Sequence, residues 1–185
     1  AGGSNKPYGD FDSSIQLIET ELFDKSNFKR LHVAGHPEGN KDIDPNGAND
    51  NVNEALSWKN QFSQRTDTKI AVATQFCFES ESVIAWVDNL KEMGIDLPIH
   101  IGIAGPAKLQ TLLRYSIECG VGASIKVLKK RAKDITKLLL PYEPESIITE
   151  LAKHKTNNPD FNIEQVHFFP LGGIKQVTKF VTKFS

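Results

Sequence analysis

The side chains that could do chemistry fall at the ends of β-like runs. His36-Pro37-Glu38-Gly39-Asn40 follows such a run and combines an imidazole, a rigid turn and a flexible exit. That combination suits ligand contact, because loops leaving a rigid scaffold carry binding groups, although a plain turn would use the same residues. Thr74-Gln75 ends an otherwise apolar run. A carboxamide there must find partners, either loop backbone or a heterocycle whose edge mixes donors and acceptors. Cys77 follows closely, but no neighbour supplies a base, so it reads as a small buried hydrophobe rather than a nucleophile. Tyr115 could stack on a planar ligand; its spacing alone favours packing. The five histidines do not fall at metal-ligand spacing and no HExxH occurs, so no metal site is expected. Gly120-Val121-Gly122-Ala123-Ser124 could hold a phosphate at a helix N-terminus. No strand is evident just before it, as the phosphate fingerprints require, and a helix-helix turn is the preferred reading.

Positioning these groups needs a scaffold, and the chain spells one out by alternation. Strands are expected at Lys29 to Ala34, Ile70 to Phe76, Ile99 to Ile103 and Gln165 to Phe169. The second is almost wholly apolar, as a strand covered on both faces should be. Helices are expected over Ser13 to Phe23, with Ser13 or Ser14 as N-cap, and over Asn51 to Phe62. Glu79 to Met93, stopped by Gly94, and Ala107 to Cys119, between Pro106 and Gly120, follow. Short helices are expected at Ala123 to Lys130 and Asp134 to Leu140, then Pro144 to His154 and Ile174 to Phe184. Strands alternating with helices imply an α/β fold with a parallel sheet. A doubly wound open sheet and a (β/α)8 barrel of TIM type compete. The polar or Gly-rich strand ends, from Gly35-His36 to Leu171-Gly172-Gly173, would all face one mouth of a barrel. Eight strands make a barrel and four are counted, so the barrel reading leaves half of it outside the chain.

The bulk numbers exclude some classes. The 185 residues suit a single domain, 1–185, with a substantial core. Lys and Arg number 22 against 23 Asp and Glu, which argues against a dedicated nucleic-acid binder. No apolar run reaches the length of a membrane span. Two cysteines make no disulfide framework, and no apolar signal segment opens the chain, so a cytoplasmic location is expected.

Taken together the pieces resemble the methylenetetrahydrofolate reductases. The matching stretches are Val33-Ala34-Gly35-His36-Pro37-Glu38, Ala73-Thr74-Gln75-Phe76-Cys77-Phe78, Met93 to Ile99 leading into Gly102-Ile103, and His167-Phe168-Phe169. They stand in the family's order at similar spacing and cover nearly the whole chain. The resemblance implies the C-terminal half of a (β/α)8 barrel, from the exit of strand four onward, with FAD at the C-terminal ends of its strands. The implied activity is reduction of 5,10-methylenetetrahydrofolate to 5-methyltetrahydrofolate, with NADH or NADPH as co-substrate. Carried over position by position, Phe11, Ala34, His36, Asn40 and Lys59 contact FAD, with Lys59 near its phosphates. Gln75 binds the pterin and approaches the flavin, and Tyr115 contacts folate or nicotinamide.

The chain departs from the family at three places. The family's proton-donating Glu, near the first barrel strand, has no counterpart in it. Ala1-Gly2-Gly3 stands where many relatives have Arg-Gly-Asp, and Gly172-Gly173 where an Asn-Arg pair is common. Half a parallel barrel exposes strand edges, so oligomerisation or pairing with a further chain is expected. Two rival readings remain: a non-catalytic folate- or flavin-binding subunit of the same family, and a folate-dependent methyl-transfer enzyme on a related barrel.

Overall fold

The computed structural model describes residues 9–23, 25–26, 28–41, 43–121, 125–126, 128–129 and 141–183. The elements are α1 (Ser14–Glu19), β1 (Leu31–Gly35), α2 (Asp50–Arg65), β2 (Ile70–Cys77), α3 (Ser80–Glu92), β3 (Ile99–Ala104), α4 (Leu109–Glu118), α5 (Glu145–Asn157), β4 (Ile163–Phe169) and α6 (Ile174–Val181). All four expected strands are present. The short helices expected at 123–130 and 134–140 fall largely outside the described residues, as does Phe184 at the expected end of α6.

Most differences from expectation are at helix ends, where local chemistry decides. Ser13 does cap α1, its hydroxyl accepting from the Gln16 N–H. The helix stops at Glu19 rather than Phe23, because Thr20 turns its hydroxyl back onto the Leu17 carbonyl and Glu21 adopts a positive φ of 56°. α3 ends on a Schellman pair: Gly94 N–H donates to the Lys91 carbonyl and Ile95 N–H to the Leu90 carbonyl, at 3.0 and 2.9 Å. Gly94 makes this turn at a φ of 72°. α4 begins two residues late, because Ala107 exchanges backbone hydrogen bonds with Tyr142 instead of joining the helix.

The four strands form one parallel sheet in the order β1-β2-β3-β4, each bonded to the next in sequence. The described strands therefore hold no point at which strand order reverses, the feature that marks a doubly wound sheet. Val33, Ile70, Val72, Ile99, Ile101 and Ile103 point to one face and pack against Leu56 and Phe62 of α2, Val83, Val87 and Leu90 of α3, and Ile147 and Leu151 of α5. Period-2 alternation puts His32, Ala34, Ala71, Ala73, His100 and Gly102 on the other face.

The sheet curls towards that second face. Cα atoms of β2 and β4 approach within 8 Å, whereas strands two places apart in a flat sheet lie about 9.6 Å apart. His32 of β1 and His100 of β3 meet across β2, whose Ala71 and Ala73 leave room for both rings. A second apolar cluster sits at the C-terminal end of the strands and contains Phe76, Phe78, Ala104, Leu109, Leu112 and Tyr142.

Candidate functional site

The C-terminal end of the sheet begins with the exit of β1. Ala34 lies exposed on the concave face beside its partner Ala73. Two methyl groups side by side leave space above the sheet. His36 follows in a turn closed by the Gly39 N–H on the His36 carbonyl, 3.0 Å. It is half-buried, and burial first, then the nearby Lys59 charge, holds its imidazole below the ordinary histidine range.

Lys59 comes from α2 and is 5% exposed. Burial lowers its pKa below that of a free lysine, and no carboxylate among the described residues forms an ion pair with it. Charged groups that leave water ordinarily do so with a partner. An external anion would supply such a partner.

The α2 that carries Lys59 starts in an unusual way. Its N-cap residue, Asn49, makes no side-chain cap bond and sits in the left-handed region at φ 66°. Asp44 does the capping from the loop: its two carboxylate oxygens accept the N–H groups of Asn51 and Val52, each at 3.0 Å. Asp44 is 2% exposed. It fixes the loop that runs from His36 and Asn40 into α2. Asn40 is half-buried there, its carbonyl accepting from the Ile43 and Asp44 N–H groups.

β2 delivers Gln75 through a bulge. Ala73 pairs with His100 but Phe76 pairs with Gly102, so Thr74 and Gln75 together face one residue, Ile101, of β3. The extra residue flips the alternation. Phe76 turns into the second cluster, edge-on to Phe169 and Phe78, while Cys77 turns into the main core. Gln75 stays half-buried, its Oε1 accepting the Phe76 N–H at 3.1 Å and its amide nitrogen donating to no described residue. Cys77 is 1% exposed, and burial together with the Glu38 charge pushes its thiol far up, so it is held protonated and is no nucleophile.

The remaining expected positions are less closely gathered. Tyr115 packs half-buried on the cluster that includes Phe76, and the Arg114 guanidinium lies 4.7 Å from its ring centre. One face of that ring is thus taken by a cation. Phe11 lies ahead of α1, 44% exposed, with no ring contact to another described residue. The structure thus brings Lys59 near His36 at the exit of β1 and sets Gln75 at the end of β2, with Tyr115 packed on the cluster beside it. It gives Phe11 no such company.

A second polar cluster, at the opposite end of the sheet, was not anticipated from the sequence. His100 is buried at 6% exposure, and its Nε2 lies 2.7 Å from Glu164 Oε2. Since a carboxylate accepts, Nε2 donates to it, and Nδ1 lies 3.0 Å from both His32 Nε2 and Gln165 Nε2. Arg30 closes the chain with two bonds to the Glu164 carboxylate. Those bonds, Arg30 first and then His100, hold Glu164 below the usual carboxylate range. This end of a parallel sheet is ordinarily where polar side chains serve stability rather than chemistry. Among the described residues no group of three or more His, Cys, Asp or Glu could hold a metal.

No family model matches the chain. No described helix is long and apolar enough to cross a membrane.

Proposed function

We propose that the chain is the flavin- and folate-binding portion of a methylenetetrahydrofolate reductase, its four strands forming consecutive strands of a (β/α)8 barrel. The unbroken parallel strand order and the inward curl support the barrel reading. The observation that carries the functional reading is a coincidence of place. His36, which the sequence resemblance assigns to FAD, and Gln75, which it assigns to folate, stand at the same end of adjacent strands, and Lys59, which it assigns to the FAD phosphates, lies near His36.

The residues fit FAD in chemistry. The buried Lys59 ammonium, without a described carboxylate partner, suits a phosphate, and the Ala34–Ala73 floor leaves room for a flat ring system. Asn40 and Phe11 complete the proposed cofactor set. FAD, when bound, supplies the hydride-carrying chemistry between NADH or NADPH and the folate. The chain's own part is to bind and orient. Lys59 anchors charge, His36 contacts the cofactor as a neutral ring, Gln75 offers its amide nitrogen to an acceptor on the pterin, and Tyr115 covers the ring with its free face. A cytoplasmic location and self-association or pairing with a further chain belong to the same proposal.

The test is Gln75→Ala in the folate-active protein. Folate turnover should fall at least tenfold, the worth of about 1.4 kcal/mol of lost hydrogen bonding, while FAD remains bound. Unchanged folate turnover would remove Gln75 from the site and count against the assignment. Retained flavin with no folate turnover by the parent chain would favour the non-catalytic subunit.

A further inference from the structure

We propose that Thr74 is a positioning residue that acts on substrate through Gln75, an inference that rests on the folate reading above. Thr74 is polar yet only 2% exposed, at the turn of the β2 bulge. Its hydroxyl does two jobs. It accepts the Gly102 N–H of β3 at 2.8 Å, and it donates to the Gln75 carbonyl at 2.9 Å. A bulge leaves its residues out of register with the neighbouring strand. The side chain of Thr74 is therefore a substitute rung: it bonds the buried Gly102 N–H and ties the backbone of Gln75 at the same time.

Gly102 is the other half of the device. A Cβ at that position would lie 2.5 Å from the Thr74 carbonyl oxygen and 2.7 Å from that of Gln75. Both are backbone atoms, so neither can swing away. β3 can approach the bulge this closely only because residue 102 has no side chain. Thr74 and Gly102 together fix the backbone from which Gln75 projects. The Gln75 side chain adds one local bond, to the Phe76 N–H, and leaves its amide nitrogen for a ligand. Thr74 itself, buried and doubly bonded, has no reach to that ligand.

Thr74→Val keeps the shape but removes both hydroxyl bonds, and Thr74→Ser keeps the hydroxyl. The assay is binding of 5-methyltetrahydrofolate to the FAD-loaded 185-residue chain, followed by quenching of tryptophan fluorescence. Thr74→Val should raise Kd about tenfold, one ligand hydrogen bond's worth, and Thr74→Ser should stay within about twofold of the parent. Thr74→Val combined with Gln75→Ala should bind no worse than Gln75→Ala alone, because a residue acting through another adds nothing once that other is gone. Additive losses in the double variant would overturn the proposal, as would parental binding by Thr74→Val. Should Thr74→Val not fold, Thr74→Cys, near in size and a weak hydrogen-bonding group, is expected to show the same loss in smaller measure; parental binding by it would equally overturn the proposal. Parental binding by Gln75→Ala, or no binding by the parent chain, would instead refute the folate reading and with it this inference.

Discussion

Lys59→Met should move stability and cofactor affinity in opposite directions. The substitution keeps a straight apolar stem of similar length at a position only 5% exposed, so packing is largely conserved. What disappears is an ammonium that burial penalises and that no described carboxylate offsets. Replacing buried charge with apolar atoms of like volume stabilises by roughly 1–4 kcal/mol, and a single ammonium that relaxes towards solvent belongs at the low end, about 1 kcal/mol. The same change removes a charge-assisted bond to an anion, worth about 1.5–3 kcal/mol, or roughly a 10- to 150-fold rise in Kd for FAD. Urea unfolding of the apo chain and FAD titration of both proteins would measure the two effects. The pH dependence supplies a further check. Because folding lowers the Lys59 pKa below its usual 10.5, the unfolded chain holds more protons between the two values, and the parent gains stability there as pH rises. The advantage of Lys59→Met should therefore be full near neutrality and shrink as pH approaches about 10. A variant less stable than the parent, with FAD affinity unchanged, would refute the reasoning on both counts.

Other predictions follow from neighbouring groups. Asp44→Ala strips the acceptors from two N–H groups at the start of α2 and should cost about 2 kcal/mol in urea unfolding, with Asp44→Asn losing less; a loss under about 0.5 kcal/mol would mean the cap is idle. His32 is held below the ordinary histidine pKa by burial first and then by His100, Arg30 and His167, against the pull of Glu164, and His36 is held down by burial and Lys59. Depressed histidines bind fewer protons folded than unfolded, so stability should be full above about pH 6.5 and fall below it. Thermal melts at pH 7.5 and 5.5 would show this, and a His32→Gln, His36→Gln double variant should narrow the gap.

Sequence patterns made much of this scaffold legible because burial writes itself in periodicity. Ile99, Ile101 and Ile103 alternate with His100 and Gly102, the three isoleucines facing the helices. What could not be read was anything that depends on pairing register. The bulge at Thr74–Gln75 exists only relative to β3, and it is what sends Phe76 and Cys77 to faces opposite those simple alternation would give. The network of Arg30, His32, His100 and Glu164 draws on three strands and residues up to 134 apart in sequence, so no local motif marks it. Asp44 lies inside Asp44-Pro45-Asn46-Gly47, which reads as a turn and is one, its carbonyl accepting the Gly47 N–H at 2.9 Å. Its second role, capping a helix six residues on, required the loop to fold back. Among the candidate site residues, Ala34, His36 and Gln75 lie at or just past strand ends, which periodicity makes readable. Phe11, outside any periodic element, had no such anchor.

A visible absorption titration of the folded chain with FAD tests most directly the proposal that this end of the sheet holds a flavin. Saturable binding with a perturbed flavin spectrum, weakened by Lys59→Met, is the predicted result. A chain shown to be folded that leaves the FAD spectrum unchanged at every concentration would contradict it.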